Sequence, residues 1–227
     1  MIKINYPAII SNREISYTLS VMLIVMFITG LSAQESGTWG VSISSAYSQP
    51  IGGLTNWFKP DFSSRLTIGK QYNENWFIEG MLEYDHFTKE NLSGYIRGKL
   101  NLSLEHIGIL VGGRHKFIQN KIVQPYFNLA AGVYHWIGVR GAIAADSTVF
   151  PFIPSVDKRK LEETNWGFCS GIGMEIKFIP SLGIDLQTHY RLIFGDLWPT
   201  LQPGIELEGV SGFQTLNYRI AIRYYFK

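Results

Sequence analysis

The chain has 227 residues, with 20 Lys and Arg against 18 Asp and Glu, a formal net charge of +2. That balance excludes a nucleic-acid surface, which needs a strong basic excess. The single cysteine, Cys169, excludes an internal disulfide framework and reads as a small apolar filler.

The first element is an export signal. Residues 19–33 form an apolar run preceded by Lys3 and Arg13, and Leu31-Ser32-Ala33 before Gln34 fits a small-x-small cleavage site. The run is too short for a membrane-spanning helix, which needs about 20 apolar residues, and polar Gln34, Glu35 and Ser36 follow it. The expected domains are therefore a signal peptide over 1–33, cleaved after about Ala33, and a single domain over 34–227. Translation starting at Met22 is an alternative, because the stretch before Leu19 is long for an n-region.

From there the chain alternates with a period of two, the signature of strands. Trp39, Val41, Ile43 and Tyr47 oppose Gly40, Ser42, Ser44 and Ala46. Leu66 and Ile68 oppose Arg65 and Thr67, and Trp76, Ile78, Leu82 and Tyr84 oppose Glu79, Glu83 and Asp85. Ile107, Ile109 and Val111 lead into Arg114 and Lys116 on the other parity. Phe127, Leu129, Ala131 and Val133 oppose Tyr126, Asn128, Ala130, Gly132 and Tyr134. Trp166, Phe168, Ile172, Met174 and Ile176 oppose Gly167, Cys169, Gly171, Gly173, Glu175 and Lys177. Ile184, Leu186, Tyr190, Leu192 and Phe194 oppose Asp185, Gln187, His189 and Arg191. Last, Leu216, Tyr218, Ile220, Ile222, Tyr224 and Phe226 oppose Asn217, Arg219, Ala221, Arg223 and Tyr225.

These segments predict eight strands, over 38–49, 61–72, 76–88, 103–118, 124–138, 165–178, 183–194 and 214–226. Short turns at 73–75, 119–123 and 179–182 alternate with long loops at 50–60, 89–102, 139–164 and 195–213. One end with short turns and the other with long loops is the pattern of an eight-stranded antiparallel up-and-down transmembrane β-barrel with both termini in the periplasm. One stretch breaks the pattern. Leu100, Leu102 and Leu104 alternate on even positions and Ile107 onward on odd ones. A β-bulge near Glu105 and His106 would switch faces within one long strand, whereas a separate strand would give an odd count.

Which face is polar decides between a soluble and a membrane barrel. Here the charged faces also carry the Gly, Ala and Ser residues that fit a narrow interior, so lipid belongs outside. Trp39 and Trp76 are expected as a periplasmic aromatic girdle, with Trp136 and Trp166 as the extracellular one. The expected lumen network is Glu79, Glu83, Asp85, Arg114, Lys116, Glu175, Lys177, Asp185, Arg191, Arg219 and Arg223, joined by Arg65. An eight-stranded interior is just wide enough for side chains to fill. Charges there are costly unless paired, so a salt-bridged plug is expected.

At this point the sequence resembles the outer membrane protein β-barrel family, the OmpA-type transmembrane domain and OmpX-like barrels, within the porin family. The best local match is Gln124-Pro125-Tyr126-Phe127-Asn128-Leu129-Ala130-Ala131-Gly132-Val133-Tyr134. The signal ending in Gly-Leu-Ser-Ala-Gln resembles those of Bacteroidota envelope proteins. The C-terminal strand is similar to the assembly signal read by the barrel-insertion machinery, with Tyr224 and Phe226 at its aromatic positions. Ala221 stands where that signal usually has Gly, and Lys227 follows the last aromatic. The resemblance implies an outer-membrane location in a Gram-negative cell, surrounding outer-membrane lipid, and a monomer.

Lipid A-modifying barrels carry a Ser with His and an acid near the rim. The nearest set here is His189 with Asp185, but Arg191 stands where the deacylase Ser would be. His86, His106, His115 and His135 lack metal-ligand spacing, so neither metal nor cofactor is expected, and no enzyme. The loops 139–164 and 195–213 are the expected contact surface for an extracellular protein or surface. They carry the apolar tip 148–154, the charged run Asp157-Lys158-Arg159-Lys160, and Trp198-Pro199. The leading expectation is an envelope structural or interaction barrel. The alternatives are a narrow pore or transport accessory and, third, a lipid A-modifying enzyme.

Overall fold

The computed structural model describes residues 37–91, 101–118, 122–142, 155, 157–197 and 210–227. The expected signal over 1–33, the segment 92–100, the apolar tip 148–154 and Trp198-Pro199 lie outside these residues.

Eight strands close into one antiparallel barrel: β1 (Trp39–Ile51), β2 (Asp61–Gln71), β3 (Trp76–Phe87), β4 (Ser103–Lys116), β5 (Val123–Arg140), β6 (Arg159–Ile179), β7 (Leu182–Leu197) and β8 (Val210–Phe226). Each pairs with its sequence neighbour, and β1 pairs with β8, Trp39 opposite Phe226, so no edge is left open.

The wall is inside out relative to a soluble protein. Around the outside, Ile43 is 67% exposed, Ile109 58%, Ile172 65% and Ile222 58%. The opposite parity buries Arg65, Glu79, Glu83, Asp85, Arg114, Arg191 and Arg223. Only hydrocarbon outside makes that arrangement favourable, since such apolar area in water would be costly. On the outer face of β3, Trp76 and Tyr84 are eight positions apart. At ~3.3 Å per residue and ~40° tilt this is about 20 Å of height, on the order of the apolar band of a membrane barrel.

The turns at the short end are made locally. In the β2–β3 turn, the Asn73 carboxamide oxygen accepts from the backbone N–H of Asn75 (3.0 Å) and Trp76 (2.8 Å), an Asx turn that reverses the chain. At the other end, Gly52 at φ +60° opens a 3-10 turn over Gly52–Asn56 that folds Leu54 inward.

Two expectations are corrected. The β3–β4 and β4–β5 registers run without a shift from Ser103 to Lys116, so no bulge lies at Glu105 and His106. Leu102 and Leu104 are buried inside on the same parity as His106, Leu110 and Arg114. The strand does not change face there; its inner face changes from polar to apolar. The hairpin of β5 and β6 is also taller than expected, because 139–140 and 159–164 are strand rather than loop. Likewise 195–197 belong to β7 and 210–213 to β8. Register shifts do occur, between Lys177 and Ile179 against β7 and between Ile193 and Asp196 against β8.

Candidate functional site

Strand parity points charged side chains from six strands into a lumen that cannot hold them apart. They sort into two clusters. In the upper one, Glu83 of β3 meets Arg65 of β2 at 2.9 Å, Arg219 of β8 at 2.8 Å and Arg191 of β7 at 3.4 Å. Asp85 takes Arg191 as a two-pronged partner, the longer contact being 3.0 Å. In the lower cluster Glu79 meets Arg223 at 2.7 Å and Arg114 at 3.3 Å, and Asp185 meets Arg114 at 2.7 Å. Glu175 meets Lys116 at 2.8 Å. Met81, buried between Glu79 and Glu83 along β3, separates the two levels.

Three tyrosines complete the carboxylates. The Tyr134 hydroxyl donates to Glu83 at 2.8 Å, that of Tyr225 to Glu175 at 2.6 Å, and that of Tyr126 to Asp185. Charged acceptors strengthen such bonds, and they offset part of the desolvation cost. Glycines on neighbouring strands leave room for the rings. A Cβ added at Gly108 would lie 2.3 Å from the Tyr134 ring, and one at Gly173 would lie 2.3 Å from that of Tyr126.

Both ends of the lumen are shaped differently. The end with the long connections is an apolar stopper of Leu54, Trp57, Phe58, Phe87, Leu104 and Phe213, with His106 between Phe87 and Phe213. Backbone bonds from Lys59 to Lys89 (2.7 Å) and from Asn91 to Trp57 (2.9 Å) stitch the β1–β2 and β3–β4 connections over it. The end with the short turns opens into a polar vestibule of about 210 Å³ lined by Gln71, Lys116, Gln124, Lys177 and Tyr225.

All of the charged residues expected in the lumen face inward in the structure. Lys177 sits at the vestibule, its ammonium 4.5 Å from the Tyr225 ring, rather than in a cluster. Trp39 and Trp76 lie outward at the end with the short turns, with Trp76 edge-on to His115 at 4.8 Å. Trp166 faces outward and is half-buried. Trp136 corrects the expected girdle. It is fully buried inside, its indole N–H donating to Asn165 Oδ1 at 2.6 Å and its ring edge-on to Phe213. The reason is unbroken parity along β5, which puts Trp136 on the same face as Tyr126 and Tyr134. His189 and Asp185 are not brought together: His189 lies 3.0 Å from Arg65, whereas Asp185 is held by Tyr126 and Arg114. Among the described residues no group of three His, Cys, Asp or Glu is placed to hold a metal ion. Sequence reasoning missed the roles of Tyr126, Tyr134 and Tyr225, although their position among the small and charged residues was the available signal.

No family model matches the chain, and no curated protein matches it in sequence. Solved structures do. Neisserial surface protein A (NspA) aligns at a TM-score of 0.51 and 14% identity, covering 84% of this chain and all of NspA. Ail, the attachment invasion locus protein of Yersinia pestis, aligns at a TM-score of 0.46 and 15% identity, covering 85% of this chain and all of Ail. OprG of Pseudomonas aeruginosa aligns at 0.47 and 13%, covering 85% of this chain and 97% of OprG. At these identities the likeness is one of fold. By fold the chain is therefore a closed eight-stranded antiparallel β-barrel of the kind found in NspA.

Proposed function

We propose that the protein is an envelope structural or interaction barrel of the outer membrane, closed through its lumen and working at its extracellular end. One observation carries this reading: the bore is crossed at two levels by buried ion pairs and stoppered above them by Leu54, Trp57 and Phe58. A lumen so filled leaves the rim and the loops 139–164 and 195–213 as the surface for a partner. Export by the 1–33 segment, insertion through Tyr224 and Phe226, and a monomeric state belong to the same proposal. Outward-facing, stacked Tyr224 and Phe226 (centroids 6.2 Å apart) support the second of these. No catalytic role is proposed, since Arg191, which replaces the serine, is committed to Asp85.

The test is single-channel recording in planar bilayers. The closed barrel gives no steady opening. Large, steady channels would overturn it in favour of a narrow pore, which the polar vestibule at the periplasmic end favours. A pore would also change its conductance with Arg219→Ala or Glu79→Ala. A lipid A-modifying enzyme would instead alter lipid A on expression in a way that His189→Ala abolishes.

A further inference from the structure

Among the described residues six arginines are buried: Arg65, Arg114, Arg140, Arg191, Arg219 and Arg223. Five of them meet a carboxylate in the lumen. Arg140 does not. It ends β5 on the extracellular side, only 4% exposed, and its Nη2 donates to the Asp157 carbonyl oxygen at 2.9 Å. Among the described residues its Nε and Nη1 have no hydrogen-bond partner. Directly across the ladder stands Arg159, the first residue of β6, and exposed Lys158 precedes it. Like charges directly opposite each other destabilise a strand pair, and buried unpaired donors cost further.

The nearby acids do not relieve this. Glu162 is taken by Lys160 at 2.7 Å and faces His135 at 3.5 Å. Among the described residues, neither Asp157 nor Glu163 comes within ion-pair range of Arg140 or Arg159. Burial first, and then the charge of Arg159, draw the Arg140 guanidinium below its ordinary pKa, as expected of a cation without a counterion.

We propose that Arg140 and Arg159, assisted by Lys158, form an oxyanion site at the tip of the β5–β6 hairpin, which takes a phosphate or sulfate group presented outside the membrane. Two planar forks side by side match the tetrahedral oxygens of such a group, and an anion between them removes both the repulsion and the unpaired donors. The tip stands seven residues beyond Trp166, roughly 18 Å above the upper aromatic level at ~3.3 Å per residue and ~40° tilt. That is headgroup and saccharide territory rather than hydrocarbon. The site rests on the extracellular end being the working surface, but its failure would leave the closed-lumen recordings untouched, so the two readings fail separately.

The experiment is titration of the refolded barrel in zwitterionic micelles with inorganic phosphate, following the Nε–H signals of Arg140 and Arg159 by NMR. Chloride at equal ionic strength is the control. Saturable movement of both signals is expected with phosphate and not with chloride. Arg140→Gln, read at Arg159, should weaken binding about tenfold, Arg140→Lys should weaken it less, and Lys89→Gln elsewhere on the rim should leave it unchanged. Heat-modifiable migration confirms that each variant is folded, and Arg159→Gln read at Arg140 serves if Arg140→Gln does not fold. Movement no greater than with chloride, or unchanged affinity in folded Arg140→Gln or Arg159→Gln, would overturn the site. Nanodiscs with phosphorylated or dephosphorylated lipopolysaccharide separate the sources. Signals moved by the phosphorylated form alone mark a membrane phosphate, and signals moved only by added phosphate mark a solute.

Discussion

Glu83 receives Arg65, Arg191, Arg219 and the Tyr134 hydroxyl, all within 3.4 Å, in a space without water access to its side chain. Replacing it by Gln keeps the shape but leaves Arg191 with Asp85 alone, and Arg65 and Arg219 with no carboxylate among the described residues. Removing one partner of a buried pair costs about 3–5 kcal/mol, far more than the pair itself contributes. Glu83→Gln is therefore expected to lose about that much in urea unfolding from lipid vesicles. Glu162→Gln, on the exposed hairpin, should change stability by under ~1 kcal/mol. At this scale the sequence was informative about which side chains turn inward and silent about which pairs they make.

For a strand, depth in the bilayer decides what a substitution costs. Ile109 faces lipid near the middle of β4, and Ile137 faces outward near the top of β5, above the level of Trp166. An arginine at the midplane of the lipid face costs about 2–4 kcal/mol and near zero to 1 at the interface. Ile109→Arg should therefore destabilise the folded barrel strongly in a vesicle-based unfolding titration, and Ile137→Arg hardly at all. Equal costs would place the apolar band elsewhere. Elements also show where pattern reading fails. Leu102 and Leu104 look lipid-facing because the rule equates apolar with outward, yet they form part of an apolar stopper inside the mouth. The same rule misplaced Trp136, whose parity with Tyr134 was correct evidence that its aromatic character overrode.

Over the whole molecule, the obstructions lie in series: the stopper, the Glu83 cluster and the Glu79 cluster. Opening one leaves the others closed. Trp57→Ala with Phe58→Ala should thus leave planar bilayers silent. Adding Glu83→Ala and then Glu79→Ala with Arg223→Ala should produce conductance only at the last step, in variants that still migrate as heat-modifiable barrels. Conductance after the first pair alone would mean that the ion-pair levels are not barriers.

The strand count, the closed antiparallel order and the polarity of the two faces were determined by the sequence, because a period of two writes inward and outward into every strand. The wealth of small residues on the charged face settled that lipid lies outside. Partner choice needed the tertiary structure, since it depends on register and shear between strands far apart in sequence, as for Glu83 with Arg219. So did the change of the inner face from polar to apolar near the mouth, which no single strand reveals. The placing of Arg140 opposite Arg159 is of the same kind. Each residue alone is an ordinary surface cation, and only the ladder sets them against one another.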